Sequence, residues 1–308
     1  MVDMETFLTT VYFMVDEFCQ SQLPAESHRG PQAALTRSEV VTLGLFGQWA
    51  CFPSERAFYR YAQRHLRAAF PTLPHRTQFN RLLRRHYEAI LGCFLHLVDL
   101  LIGHPGRYEA LDSSAVPTRD AKRRGAGWLP GLADIGWSHR LGWYEGFHRL
   151  IAVTPQGVIT GFGSGPASAK DQSLAETFFA RRRRPQPRCR SVGRPALGPY
   201  VCDKGFEGLA AHARWWHGYG APVMCPPKRN SRQPWSKQAR RWLAGVRQII
   251  ETVYDKVHHT FGLSRERPHA LAGFQARLAA KLALHHFCVW LNEQLERPPL
   301  AFADLVDW

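Results

Sequence analysis

The stretch Tyr200–Gly208 constrains the fold more than any other part of the sequence. A short apolar run, Tyr-Val-Cys, ends in Asp203, and Lys-Gly then leads into a new apolar segment. This pattern is typical of a buried strand followed by a helix. An acid at the C-terminal end of such a strand lies at the rim of a sheet, where function commonly sits in open α/β folds. The stretch therefore predicts a functional rim, provided that other carboxylates occupy comparable positions.

Two further acids meet that condition. Arg107–Asp112 reads as a short strand that also ends in an acid. If this strand and the strand before Asp203 are neighbours, their ends bring Asp112 and Asp203 together. A long amphipathic helix follows later in the chain, and its predicted buried side holds Trp242, Val246, Ile249, Ile250, Val253 and Val257. The predicted opposite stripe holds Arg247, Glu251, Tyr254 and His258, so a helix crossing the rim could add Glu251 to the two aspartates.

Residues 106–296 predict an α/β region, mixed in the α+β sense. The pattern is a strand to Asp112, a hairpin over 146–162, a helix, the strand before Asp203, a helix, a short strand and two long helices. We expect residues 117–143, rich in Gly, Arg and Trp, to form a loop. A mixed sheet with helices packed on it is the fold class that suits this order.

Residues 1–105 are predicted to be helical, and residues 297–308 to form a C-terminal tail. Thr36 and Glu39 form a capping-box pattern at the start of one helix. A long helix is predicted from residue 79 to about 102, and its first half carries Arg81, Arg84 and Arg85. Two interpretations stay open for this region: a helical bundle with a solvated arginine face, or a DNA-binding module resembling helix-turn-helix.

The charge favours a polyanionic partner. The chain has 40 Lys and Arg against 25 Asp and Glu, a net charge of +15, and nucleic acid is the commonest partner for such an excess. Arg181, Arg182, Arg183 and Arg184 begin a basic segment interpreted as a phosphate-contacting loop. No apolar run reaches membrane-spanning length, so no membrane partner is expected. The seven cysteines include no C-x-x-C pair, which indicates reduced thiols in a cytoplasmic protein.

Three clustered carboxylates repel one another unless cations neutralise them. Oxygen ligands suit Mg²⁺ or Mn²⁺, and two such ions can hold the attacking and leaving oxygens of a phosphoryl transfer. An acidic site in a cationic chain is the combination that a DNA-cutting or DNA-joining enzyme requires. The sequence therefore predicts two Mg²⁺ or Mn²⁺ ions as cofactors.

Four segments of the chain resemble the DDE transposases of bacterial insertion sequences. They are Leu-Asp112-Ser-Ser-Ala-Val-Pro, Tyr144-Glu-Gly-Phe-His148-Arg-Leu, Asp203-Lys-Gly-Phe206, and Arg247-Gln-Ile-Ile-Glu251 with Thr-Val-Tyr254. The resemblance covers about 107–293 and implies an RNase-H-like core with Asp112, Asp203 and Glu251 as the metal-binding catalytic triad. It also implies Mg²⁺-dependent cleavage at mobile-element ends, strand transfer into target double-stranded DNA, a homodimer on DNA, and a place at the nucleoid.

The sequence departs from the family pattern at two positions. Ala244 replaces a common tyrosine, and His258 replaces a lysine that contacts the element end, so His258 or Lys256 would take over that contact. Arg247 either forms an intrahelical ion pair or contacts DNA phosphate or a carboxylate. Lys204 either contacts phosphate or is solvated.

Two polar residues near the predicted site are not assigned to it. Asp171 is interpreted as a helix cap or surface acid and His148 as a structural histidine.

Two other functions remain open from the sequence. One is a metal-dependent DNA nuclease of the same fold that cuts without joining. The other is a non-catalytic DNA-binding protein whose acids are structural.

Overall fold

The chain forms two compact units in a computed structural model that describes residues 1–26, 33–102, 108–119, 129–183, 196, 198–227 and 235–308. The first unit combines Met1–Leu97 with Lys256–Trp308, and the second is Val98–Asp255. The boundaries of these units differ from those of the predicted domains 1–105, 106–296 and 297–308. The limits of those regions as functional domains stay a prediction.

The first unit is helical and has an aromatic core. Phe7 packs edge-on against Phe287 and Trp49, and both Phe7 and Phe287 are fully buried. Two short strands, β1 and β8, pair in parallel. Its elements are β1 (Val2–Asp3), α1 (Met4–Gln22), α2 (Arg37–Phe46), α3 (Glu55–His65), α4 (Arg76–Arg85), α5 (Tyr87–Leu101, whose last residues enter the second unit), α9 (Leu271–Gln294) and β8 (Val306–Asp307).

Two details of the helical prediction have different outcomes. The capping box of α2 is confirmed: the Glu39 amide donates to the Thr36 hydroxyl, and the Thr36 amide donates to the Glu39 carboxylate. The single long helix predicted from residue 79 is wrong, because α4 ends at Arg85, His86 is its C-cap, and α5 starts at Tyr87. His86 still donates to the Leu82 carbonyl and accepts from the Ile90 amide. The chain therefore turns without Gly, Pro or a lost hydrogen bond to indicate the break.

The second unit is a mixed sheet with three helices, which confirms the predicted fold class. Strand β2 lies in the middle, with β4 antiparallel on one side and β6 parallel on the other. Beyond them, β7 pairs with β6 in parallel, while β3 and β5 both pair with β4. The strands are β2 (Glu109–Pro117), β3 (Asp134–Ser138), β4 (Gly142–Val153), β5 (Ile159–Pro166), β6 (Tyr200–Cys202) and β7 (Val223–Met224).

Helices cover this sheet and fix the direction of its strands. The helices are α6 (Asp171–Arg183), α7 (Leu209–Tyr219) and α8 (Lys237–Asp255). Leu111 of β2 and Cys202 of β6 share one buried cluster with Phe178 of α6 and Trp215 of α7. Helix α8 contacts β2, β4 and β6. The shared cover and the parallel pairing place the residues that follow Leu111 and Cys202 next to each other.

The predicted loop over 117–143 contains strand structure that the sequence pattern did not indicate. Strand β3 and the start of β4 form a hairpin, in which Trp137 pairs with Trp143. Both tryptophans are more than half exposed. Its buried face carries Gly136 and Tyr144, while the large apolar residues Trp137 and Trp143 point outward. This arrangement lacks the apolar-in, polar-out alternation by which strands are recognised.

Candidate active site

Asp112 and Asp203 lie side by side where the parallel pairing of β2 and β6 ends. The strand predicted to end at Asp112 is longer than expected, because β2 continues to Pro117 and stays paired with β4 over those residues. Leu111 of β2 pairs with Cys202 of β6, and each aspartate is the next residue in its chain. In parallel strands, equivalent positions are adjacent at the same edge. Asp203 also caps the short helical turn Lys204–Phe206, because its Oδ1 accepts from the Gly205 amide at 2.7 Å. The predicted meeting of these two acids is therefore present.

The environment of Asp112 disfavours a negative charge. Burial raises the pKa of its carboxyl to about 7, and the charges of Asp203 and Asp171 act in the same direction. The Ser113 amide, which donates to Oδ1 at 2.8 Å, and the Arg247 guanidinium act in the opposite direction. Burial is the largest of these effects, so the pKa of Asp112 stays raised despite the two contacts that lower it.

Asp171 occupies this site as a further carboxylate. Its Oδ1 accepts from the Ser113 hydroxyl at 2.6 Å and lies 3.6 Å from Nε2 of His148. A Cβ atom added at Gly205 would lie 2.5 Å from Asp171 Oδ2 and 3.0 Å from Asp203 Oδ1. Asp171 therefore touches the residue after Asp112 and approaches Asp203 across a glycine. The sequence places it at the start of a helix, but only the tertiary fold shows that the helix begins at this rim.

His148 keeps the structural role predicted for it. Its Nδ1 makes a 2.8 Å hydrogen bond with the Ala169 carbonyl, which fixes the ring between β4 and the turn before α6. Its other nitrogen faces Asp171.

Glu251 does not form a cluster with the two aspartates. Its side chain is 62% exposed, and it forms an ion pair at 3.4 Å with Arg247, one turn earlier on α8. The intrahelical pair left open by the sequence is therefore present, and Arg247 also acts on Asp112. Within the described parts of the chain, no three His, Cys, Asp or Glu residues are spaced to share a metal ion.

Tyr254 fixes α8 to the site, in contrast to the exposed position predicted for it. Its hydroxyl lies 2.9 Å from the Asp112 carbonyl oxygen and 2.8 Å from the Arg149 carbonyl oxygen, and it donates its proton to these acceptors. The Tyr254 side chain is 7% exposed, whereas Trp242, which was predicted to be buried, is 41% exposed. Residues three apart on a helix are neighbours on its surface. Glu251 therefore lies one turn from the residue that holds the Asp112 backbone.

The two aspartates fit a hard divalent cation. Both offer carboxylate oxygens, the ligand type that Mg²⁺ and Mn²⁺ prefer. A cation between them would offset the burial and the repulsion that raise the pKa of Asp112. The third predicted ligand, Glu251, does not join them in this arrangement.

The other predicted DNA contacts differ in accessibility. Lys204 and the α4 arginines Arg81, Arg84 and Arg85 are exposed, as is Arg181. Lys256 is half-buried, whereas His258 is 3% exposed and bonds to the Ser264 hydroxyl at 2.8 Å.

Arg182 points inward rather than outward. It forms a buried ion pair with Glu109 at 3.0 Å and donates to the Tyr200 hydroxyl at 2.8 Å. The Arg183 side chain and Arg184 lie outside the described residues.

Comparison with known families agrees with this geometry. The family model described as the transposase DDE domain matches residues 108–287. The chain belongs to the family of DDE transposases. The match includes β2 to β7 and most of α9, and therefore contains Asp112, Asp203 and Glu251. No curated protein and no solved structure matches the transposase. Among the residues that the structure describes, none of its helices is long and apolar enough to cross a bilayer.

Proposed function

We propose that this transposase cleaves the ends of a mobile DNA element and joins the freed 3′-hydroxyls to target DNA. The observation that carries the proposal is the adjacent pair Asp112 and Asp203, directly after the last paired residues of β2 and β6. The charge excess of the chain suits double-stranded DNA as the substrate. Both steps are phosphoryl transfers, so one site can perform them in succession.

Cleavage and strand transfer each form one P–O bond and break another. In cleavage, a water oxygen forms a bond to phosphorus at the element end and the P–O3′ bond breaks, which leaves a 3′-hydroxyl. In strand transfer, that hydroxyl attacks a target phosphodiester and displaces its 3′-oxygen. A bound Mg²⁺ or Mn²⁺ supplies activation of the attacking oxygen and charge neutralisation at the departing one.

Asp112 and Asp203 would hold the cation, and neighbouring residues would orient them. Ser113 links the segment after Asp112 to Asp171, while Gly205 allows Asp171 to approach Asp203. Tyr254 holds the Asp112 backbone against α8. We infer that Glu251 completes the triad when DNA phosphate takes over Arg247, because that arginine is the ion-pair partner holding Glu251 at the surface.

Contacts along the DNA would come from exposed cations. Lys204 adjoins Asp203 in the chain, and Arg247 lies close enough to affect Asp112. At the position of the family's end-contacting lysine, the burial of His258 favours Lys256 as the residue that reaches phosphate. A homodimer on DNA, as the family resemblance implies, would bring two element ends together.

Incubation of the purified protein with labelled element ends and Mg²⁺ tests the proposal. Joined products support the transposase reaction. Products that are cut but never joined would favour a nuclease, and DNA binding without any cut would favour a non-catalytic protein. Asp203→Ala should retain DNA binding and lose cleavage, and full cleavage by this variant would contradict the assignment of the aspartates.

A further inference from the structure

The first unit contains a cavity that none of the catalytic residues enters. Its volume is about 520 Å³, within the range of ordinary ligand pockets. The walls come from α2, α3, α4, the segment 261–270 and the start of α9. The cavity therefore lies wholly inside the helical unit.

The charge of this cavity is strongly positive. Seven Lys and Arg side chains line it, against two acids, Glu55 and Glu266. Both acids are already paired: Glu266 with Arg277 at 2.8 Å and Lys281 at 3.1 Å, and Glu55 with Arg76 at 3.4 Å. The remaining wall cations thus have no acid of the cavity to neutralise them.

Two of these cations have no partner in the described part of the chain. They are Arg56 in the first turn of α3 and Arg84 near the end of α4, and Arg84 is exposed. The Arg84 Cδ lies 3.8 Å from the Cβ position of Gly273 in the first turn of α9. Two separate helices therefore each contribute an exposed, unpaired arginine to the wall of the same cavity.

Three helix N-termini also border the cavity. Ser54 and Glu55 begin α3, Arg76 and Thr77 begin α4, and Ala270 precedes α9. Side chains of Ser54 and His75 cap α3 and α4, whereas no side chain caps the N-terminus of α9. The free amide groups and the dipole at a helix N-terminus attract anions. The uncapped end of α9 therefore adds to the attraction that the unpaired arginines exert on an anion.

We propose that this cavity binds a phosphate group of the DNA backbone, with Arg56 and Arg84 as its principal contacts. The inference rests on the proposed action on DNA and adds a site within the helical unit that contains none of the catalytic carboxylates. Arg84 is one of the α4 arginines expected to face DNA, whereas Arg56 carries no such expectation from the sequence. Arginine suits this role because its planar fork binds two phosphate oxygens at once.

The salt dependence of DNA binding by the full chain tests this proposal. Each phosphate contact adds about 0.9 to the slope of log affinity against log salt concentration. Arg56→Ala and Arg84→Ala should each lower the slope by about one, and the double variant by about two. Arg84→Lys should keep most of the slope. Arg64→Ala, an exposed arginine of α3 outside the cavity, is the matched control and should behave as wild type.

The possible outcomes separate this inference from the proposed function. Arg56→Ala and Arg84→Ala could show the same salt slope of DNA binding as the control Arg64→Ala, while wild type binds and cleaves DNA. The cavity is then not a DNA site, and only this inference fails. If wild type does not bind DNA, the proposed function fails first. Calorimetry with inorganic phosphate distinguishes a small-anion site: phosphate binding lost in Arg84→Ala without a change in slope would overturn the DNA assignment. Unfolding midpoints of all variants should match wild type.

Discussion

Asp171 is the residue whose role the fold reveals most clearly. It connects Ser113, beside Asp112, with Gly205, beside Asp203. A side chain in that position can orient Asp112 and Asp203, the residues that would bind the metal ion. Loss of such an orienting partner typically costs ten- to hundredfold in metal affinity or activity.

Asp171→Asn is therefore expected to raise the Mg²⁺ concentration for half-maximal cleavage by roughly 10- to 100-fold. Calorimetric titration with Mn²⁺ should show the same weakening without DNA. Ser113→Ala removes the hydrogen bond from the other side and should shift both measurements in the same direction. Asp304→Asn, an exposed acid of the first unit, controls for the lost charge. Unaltered metal affinity in Asp171→Asn would remove the orienting role.

The buried pair of Arg182 and Glu109 allows a stability prediction. The Glu109 side chain is fully buried, and it also accepts from the Thr160 hydroxyl. Arg182→Met should lower the free energy of unfolding by about 3–5 kcal/mol, because it leaves a buried carboxylate without its cation. Urea unfolding measures this loss. Adding Glu109→Gln should recover much of it, and a loss below about 0.5 kcal/mol would show that Arg182 behaves as a surface residue.

For single residues, the sequence predicted the location correctly where that location depends only on the strand or helix that carries the residue. Asp112 and Asp203 each end an apolar strand run, so their meeting needed only that the strands be neighbours. Asp171 and Tyr254 depend on which helix packs at which strand end, and one sequence has no local pattern for that. The burial of Arg182 could not be predicted for the same reason. A run of arginines is expected to face solvent, and only the tertiary fold shows that Glu109 lies beside Arg182.

Helix α8 carries the residues that would complete the site, and one of its positions is suboptimal for a helix. Gly245 is near its middle, and a Cβ added there would meet nothing within 4 Å. Gly245→Ala should stabilise the protein by up to about 1 kcal/mol, since alanine restricts the unfolded chain and suits a helix. Gly146→Ala is the opposite case, because its Cβ would clash with the Val116 carbonyl oxygen. Urea denaturation should show opposite signs, and destabilisation by Gly245→Ala would contradict the open space around this position.

At the scale of elements, the amphipathic and buried segments were predictable and the exceptions have physical causes. The second-unit strands with buried apolar residues were recognised from those residues. The hairpin of β3 and β4 was missed because Trp137 and Trp143 stay exposed. The break between α4 and α5 was missed because His86 keeps helical hydrogen bonds on both sides.

At the scale of the whole molecule, the acidic site and the basic surface are complementary requirements. A cationic chain attracts DNA from any direction through long-range charge, whereas the carboxylates at the sheet edge repel phosphate. Local neutralisation by a divalent cation resolves this conflict at the point of reaction. Metal binding should then be measurable without DNA, as added stability of the folded chain.

Mg²⁺ is accordingly expected to raise the thermal unfolding midpoint of the wild-type protein. A ligand present at a hundred times its dissociation constant adds about 2.7 kcal/mol to the folded state. Asp112→Asn and Asp203→Asn should lose this effect, since each removes a carboxylate of the adjacent pair. Glu251→Gln distinguishes two arrangements of α8. With DNA absent, its shift should equal that of wild type, because Glu251 is paired with Arg247 and away from the aspartates. With DNA bound, Mg²⁺ should raise the unfolding midpoint of Glu251→Gln less than that of wild type. If the Mg²⁺-induced shifts of the variant and wild type are equal with DNA as well as without it, Glu251 does not complete the metal site.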